Sequence, residues 1–138
     1  MSKIAILEDN DRRIDEMMKC KLMGMNFFVF KRADQFINFI SENKNELDCL
    51  SLDHDLEKSH PDENDPGDGR DVVRWICDNF IKTPIIIHTS NSVMGDSMFF
   101  NLKDNGNKLD RIDPYDDIIW INKSWINKIH SMVNNVSL

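Results

Sequence analysis

Cysteine is scarce in this chain: Cys20, Cys49 and Cys77 are the only three among 138 residues. An odd, widely spaced set with no Cys-x-x-Cys pair excludes a disulfide framework and a zinc ribbon, and it points to a reducing compartment. Five glycines and four prolines exclude a collagen-like repeat. Long apolar runs are missing too. The first, Ile4 to Leu7, is far too short for a signal peptide or a membrane span, so a cytoplasmic protein that does not enter membranes is expected. Bases are outnumbered, 17 against 24 acids, for a net charge of −7. A protein that grips a nucleic-acid backbone normally presents a basic stripe, so general DNA binding is not expected. There is no Gly-x-Ser-x-Gly, no Gly-Lys-Ser/Thr and no Gly-x-Gly-x-x-Gly, which leaves out the hydrolase elbow, the P-loop and the dinucleotide fingerprint.

What remains has ordinary proportions. With 41% apolar and 30% charged residues, a chain of this length supports one soluble domain with a real core.

Short apolar runs alternate with helical stripes. Lys3 to Leu7 reads as a strand that stops at Glu8-Asp9-Asn10. Ile14, Met17, Met18 and Leu22 follow at helical spacing, with Gly24 as a stop. Phe27 to Phe30 is a second strand, and Asp34 is placed to cap a helix carrying Phe36, Ile37 and Ile40. A third strand, about Asp48 to Leu52, ends in Asp53-His54-Asp55. The irregular stretch from Leu56 to Gly69 is long enough to be a functional loop. Its acidic part, Asp62 to Asp68, lacks calcium-loop spacing, because Pro66 and Val73 fall where oxygen ligands are required; a solvated lid is expected instead. Val72, Val73, Ile76 and Phe80 mark the next helix, and Ile85 to Ile87 the fourth strand, delivering His88-Thr89-Ser90-Asn91. Met94, Met98, Phe99 and Leu102 form another stripe, closed by Gly106. Ile118 to Ile121 reads as the fifth strand, with Ser124 capping a last helix through Trp125, Ile126, Ile129 and Val133.

Five strands alternating with five helices predict a doubly wound parallel sheet, whose ligands bind beyond the carboxyl ends of the strands. Those ends carry Glu8-Asp9, Asp53-His54-Asp55, His88 to Asn91, and Asn122-Lys123-Ser124. Carboxylates gathered this closely repel one another unless a cation or proton sits among them. Oxygen donors suit Mg²⁺ or Mn²⁺, and imidazole also admits Zn²⁺. A metal held there attracts a phosphate. His60 and His130 have no partner pattern and read as surface residues.

At this point the chain resembles a receiver domain of the response-regulator kind. Glu8-Asp9 resembles the metal-binding acids after strand one. Asp53 is similarly placed to the phosphoacceptor, Thr89 to the conserved hydroxyl and Lys123 to the conserved lysine. That resemblance covers nearly the whole chain, and a narrower one is to the cyclic-phosphate-processing receiver family. It rests on Leu52-Asp53-His54-Asp55-Leu56, on Gly69-Arg70-Asp71-Val72-Val73-Arg74-Trp75, and on His88-Thr89-Ser90-Asn91 with Gly95 and Met98. Departures are Ser92 in place of a proline, one extra residue before Gly95, and the long acidic loop.

The resemblance implies a five-stranded, flavodoxin-like receiver fold over residues 1–138. It also implies phosphoesterase chemistry on cyclic phosphates: 2′,3′-cyclic nucleotides or RNA ends, or a cyclic nucleotide signal, in a setting of bacterial or phage conflict. Glu8, Asp9, Asp53 and Asp55 would hold a divalent ion. His54 and His88 would divide the acid and base roles alongside Asp53 and Lys123. Thr89, Ser90 and Asn91 would hold the phosphate with Lys123, and Arg12 or Arg13 would clamp it. The ligand would be a small nucleotide or cyclic phosphate, and the chain is compatible with a homodimer. The alternative is a signalling receiver phosphorylated on Asp53, or a module that sequesters a nucleotide without turnover.

Overall fold

The computed structural model describes residues 1–133. Strands β1 (Ser2–Leu7), β2 (Met25–Phe30), β3 (Cys49–Leu52), β4 (Ile85–His88) and β5 (Leu109–Ile112) form one sheet in the order β2-β1-β3-β4-β5. Every pair is parallel. The helices are α1 (Asp11–Lys19), α2 (Ala33–Glu42), α3 (Gly69–Asp78), α4 (Ser92–Asn105) and α5 (Ile126–Val133), the last preceded by a π-helical turn, Ile121–Trp125. Among the described residues no helix is long and apolar enough to cross a membrane.

Successive side chains of a strand point to opposite faces, and this splits the sheet's apolar residues between two cores. Ala5, Leu7, Leu50, Leu52, Ile85 and Ile87 pack against Phe36 and Ile40 of α2, Val72 and Ile76 of α3, and Met98 and Leu102 of α4. Ile4, Ile6, Cys49 and Ile86 face the other way, onto Met17 of α1 and onto Trp120, Trp125 and Ile129. Strands covered on both faces read as continuous apolar runs, which is why β1, β3 and β4 are visible in the sequence.

The fifth strand is not Ile118 to Ile121. β5 is Leu-Asp-Arg-Ile, nine residues earlier, and it lies at the sheet edge, paired with β4. Asp110 binds Lys128 and Arg111 binds Asp96 across it, the charged dress usual for an edge strand. Ile118 to Ile121 instead leads into the π-helical turn; a short apolar run does not by itself separate strand from buried helix.

Helix boundaries differ as well: α3 ends at Asp78, which leaves Phe80 exposed beyond it. α1 ends at Lys19, and Gly24 belongs to the turn before β2, where its carbonyl accepts from Ser2. Asp34 lies inside the first turn of α2, held by Arg32, and Arg32 is the cap residue. Ser124 lies within the π-helical turn and caps nothing.

Side-chain caps begin the helices nearest the strand ends. Asn10 accepts from Arg13 N, and Asn91 from Met94 N. Asp68 and Asp71 form a reciprocal capping box at α3, the arrangement that satisfies two orphan amide donors at once. Gly69, the first residue of α3, touches the end of β3. A Cβ there would overlap the Asp53 carbonyl and lie 2.9 Å from His54 Cα and 2.8 Å from Met98 Cε. Gly69→Ala should therefore cost about 1–3 kcal/mol by overpacking, a fall in Tm of roughly 3–10 °C, measurable by circular dichroism. An unchanged Tm would mean that α3 does not bear on the β3 end.

Candidate metal and phosphate site

Because β1, β3 and β4 are neighbours in a parallel sheet, the residues at their carboxyl ends converge. Glu8 follows β1, Asp53 follows β3 and His88 closes β4; one ligand atom from each lies within 4.8 Å of the others. All three are buried, Glu8 and His88 completely. Glu8 is fixed by its own loop: its Oε2 accepts from the backbone N–H groups of Asp9 (3.1 Å) and Asn10 (3.0 Å). Its Oε1 lies 3.1 Å from His88 Nε2. Asp53 Oδ1 accepts from His54 N at 2.7 Å.

Two carboxylates out of water demand compensation. Arg13 supplies part of it, 3.5 Å from Glu8 and 3.7 Å from Asp53. Burial pushes Asp53 up to about 6, against the favourable charges of His88 and Arg13 and with the neighbouring Glu8 adding to the rise. Burial also acts to raise Glu8, but the hydrogen bonds from His88 and Asn10 and the charges of His88 and Arg13 outweigh it and hold Glu8 below its ordinary value. Asp9, half-buried and accepting from Glu57 N at 2.7 Å, is raised by burial first.

Groups outside the sequence motif hold His88 on two sides. Trp125 Nε1–H donates to Ser51 Oγ at 2.9 Å. An indole N–H is only a donor, so Ser51 Oγ accepts from Trp125, and the same hydroxyl hydrogen-bonds His88 Nδ1, 2.7 Å away. Nε2 faces a carboxylate, which only accepts, so this nitrogen carries a ring proton and donates it to Glu8 Oε1. Trp120 stacks on the imidazole at 5.8 Å between centroids, and the Arg13 guanidinium lies over the same indole at 5.4 Å. A π-helical turn brings residues five apart onto one side, and here it turns both Trp120 and Trp125 inward.

The remaining candidates separate. Asp9, Asp55 and Ser90 line, with Glu8, Arg13 and Asp53, a cleft of about 390 Å³. Lys31 and Lys58 line it too; neither stood out in the sequence, because a lone lysine beside a strand or in a loop resembles any solvated base. Thr89 is buried, its hydroxyl accepting from Asn91 N. Asn91 caps α4 and reaches the Asp55 carboxylate at 3.3 Å. His54 turns away from the triad: Nδ1 meets Asp55 at 2.8 Å, and Nε2 faces Asp68 at 3.7 Å, buried and without a hydrogen bond. Arg12 is exposed and pairs with Asp117, so of the two arginines Arg13 is the one at the acids. Lys123 lies in the π-helical turn beside Asp110, Asn127 and Lys128, in a separate groove. It misses the cleft because the strand expected to deliver it is a helix.

Ser51 carried a usable signal, a polar residue inside an otherwise apolar strand. Trp120 carried none, since its run reads equally as strand.

The raised Asp53 carboxyl has a stability consequence. An acid whose folded value lies above its ordinary 3.8 releases its proton first in the unfolded chain, so stability falls as pH rises through that window. In metal-free buffer Asp53→Asn should raise Tm by about 3–6 °C at pH 7, with Glu8, His88 and Arg13 unchanged around it. The gain should vanish as pH drops from about 6 to 3.8. A less stable variant at pH 7 would contradict this electrostatic account.

Comparison with known proteins places the geometry. The model of the cyclic-phosphate-processing receiver domain matches residues 4–104. The match spans both motif-bearing loops and stops before β5. No curated protein matches the sequence. Among solved structures, the phosphorylated cyanobacterial phytochrome response regulator RcpA is similar with a TM-score of 0.73 and 15% identity, over 99% of this chain and 96% of that one. The response regulator domain of Thermotoga maritima CheB gives 0.70 and 14%, over 100% and 99%. The Mn²⁺-bound form of response regulator Rcp1 gives 0.68 and 18%, over 100% and 99%. These likenesses establish the flavodoxin-like receiver fold, and the motif match goes further: the chain belongs to the cyclic-phosphate-processing receiver domain family.

Proposed function

We propose that the chain is a metal-assisted phosphoesterase that opens a cyclic phosphodiester, of a 2′,3′-cyclic nucleotide or RNA end or of a cyclic nucleotide signal. The observation that carries this reading is the convergence of Glu8 and Asp53 at the floor of an open cleft, with the buried His88 directly against them. Two buried carboxylates with a raised Asp53 are short of positive charge, and their donor set fits a divalent ion. Glu8 and Asp53, with Asp9 and Asp55 in reserve, offer oxygen ligands that suit Mg²⁺ or Mn²⁺, while His88 stays outside the coordination set, its Nε2 against Glu8. Such an ion supplies Lewis-acid polarisation of a phosphoryl oxygen and a more acidic bound water.

The chain's own groups do the rest. Arg13, held against Trp120, Glu8 and Asp53, offers N–H donors to phosphoryl oxygens, with the Ser90 hydroxyl and the Lys31 and Lys58 ammonium groups along the same cleft. His88 holds a proton at Nε2 and is the imidazole at the triad, so it takes the proton-transfer role. His54 instead positions: it ties Asp55 to the capped start of α3. The net charge of −7 supports a small anionic ligand over a nucleic-acid duplex, and a reducing, cytoplasmic setting suits the three free thiols.

The test is mass-spectrometric turnover of 2′,3′-cyclic, 3′,5′-cyclic and cyclic-oligonucleotide substrates with Mg²⁺, Mn²⁺, Zn²⁺ or chelator. Expected is metal-dependent addition of one water to one class. His88→Gln should lose about 10²–10⁴ in rate, whereas His54→Ala should act chiefly on Tm. Intact substrates in every metal would overturn the reading. Tight binding with the ligand recovered unchanged would identify a sequestering module instead.

A second reading, a signalling receiver, is favoured by Asp53 at the end of β3 beside Thr89 at the end of β4. Against it, β5 is followed by Asp113 rather than a lysine. Acetyl phosphate with Mg²⁺ should leave the intact mass unchanged; a single phosphoryl adduct lost in Asp53→Asn would favour signalling.

A further inference from the structure

The acidic cleft does not end at the strand carboxylates. It continues into a groove of about 380 Å³ over the end of β2, and Asp11, Lys31 and Ser59 line both. The two halves differ in chemistry. The first is walled by carboxylates, ammonium groups and hydroxyls. The second adds carbon surface from Ile14 of α1 and from Val29 and Phe30 of β2, bracketed by Arg32, Gln35 and Glu63. Each half lies at the small end of ligand pockets, which run from about 300 to 1,000 Å³; together they suit a ligand with a polar and an apolar end.

The loop between β3 and α3 is fastened along this composite cleft at two points. Near the triad, Glu57 N donates to Asp9 Oδ2 at 2.7 Å. Near the groove, Arg32 donates to the carbonyls of Asn64 (2.9 Å) and Asp65 (3.1 Å) and lies 3.4 Å from Glu63. The Arg32 side chain is only 14% exposed, so it is committed to holding the loop. The Gln35 side-chain amide, in the first turn of α2, makes no bond to the protein among the described residues. At the junction of the halves, Lys31 Nζ meets only Asp11 among the described residues, at 2.6 Å, and both are solvent-accessible.

We propose that this groove is a base-binding subsite, and that the substrate is a nucleoside phosphate whose phosphoryl group sits at the acidic cleft. The proposal rests on the phosphoesterase reading for that phosphoryl half. A heteroaromatic base covers Ile14, Val29 and Phe30 while its polar edge meets the Gln35 amide, which offers both a donor and an acceptor. Lys31, at the junction, faces the ribose–phosphate linkage. A bare sugar phosphate would leave the carbon surface wet, and an acyl chain would lie against Arg32 and Glu63, so neither matches both sides of the groove.

The experiment measures binding by calorimetry to the full chain with Mg²⁺, using adenosine and uridine 3′-monophosphates, ribose 5-phosphate and inorganic phosphate. Methyl and amide NMR shifts are recorded in parallel. At least one nucleotide should bind about tenfold or more tighter than ribose 5-phosphate and move the Ile14 and Val29 methyl signals, which inorganic phosphate should not. Gln35→Trp, filling the groove from an exposed position, should remove that gain and leave inorganic phosphate within about twofold; Ile14→Ser, from the opposite wall, should reduce it independently. Equal binding of nucleotide and ribose phosphate, or a gain that survives both variants, overturns the subsite and leaves the phosphoryl half standing. Failure of every phosphate compound to bind overturns both.

Discussion

Two carboxylates, Glu8 and Asp53, are held out of water at the ends of adjacent strands, and much of the surrounding structure answers that electrostatic demand. Backbone amides of Asp9 and Asn10 converge on one Glu8 oxygen. His88 meets the other, and Arg13 spans the gap to Asp53. The compensation is incomplete: burial still lifts Asp53 to about 6. A stable globular protein would gain by replacing such a cluster with apolar side chains, so the cluster reads as a site.

Holding an imidazole against those acids imposes its own requirements further into the fold. Ser51 is a buried hydroxyl on an otherwise apolar strand, and its partner Trp125 comes from the distant π-helical turn. Trp120 covers the ring from the same segment. One wide helical turn lets Trp120 stack on His88 and Trp125 reach the Ser51 hydroxyl beside it, so this segment, beyond the family match, completes the environment of a motif residue. On the other side, the close approach of Gly69 to the Asp53 carbonyl and the capping box at Asp68 hold the long loop's end against β3. Arg32 fastens the same loop over β2, which turns an acidic, proline-containing stretch into one wall of the cleft.

The residues that converge at the triad were legible for a simple reason. Parallel strands put every carboxyl end at one edge, so Glu8, Asp53 and His88 could be gathered from strand positions alone. The same logic failed where a strand was misplaced. β5 carries Asp110 and Arg111 because it is paired on one side only, and a run of four apolar residues nearby made the more convincing strand. Lys123 went with that error. Arg12 and Arg13 are adjacent in sequence and point to different neighbours, Asp117 and the acids, which depends on helix phase. His54 is part of a strong motif, yet its ring bonds to Asp55 and faces Asp68, because the chain turns immediately after β3.

The sequence by itself determined the parallel α/β sheet, the family and the acidic character of the strand ends, because periodicity, local motifs and charge are properties of neighbours along the chain. Tertiary structure alone decided which imidazole meets the acids, which arginine neutralises them, where the fifth strand runs, and that the acidic cleft opens into an amphipathic groove. Each of those depends on distances between segments dozens of residues apart, and packing sets such distances where local pattern does not.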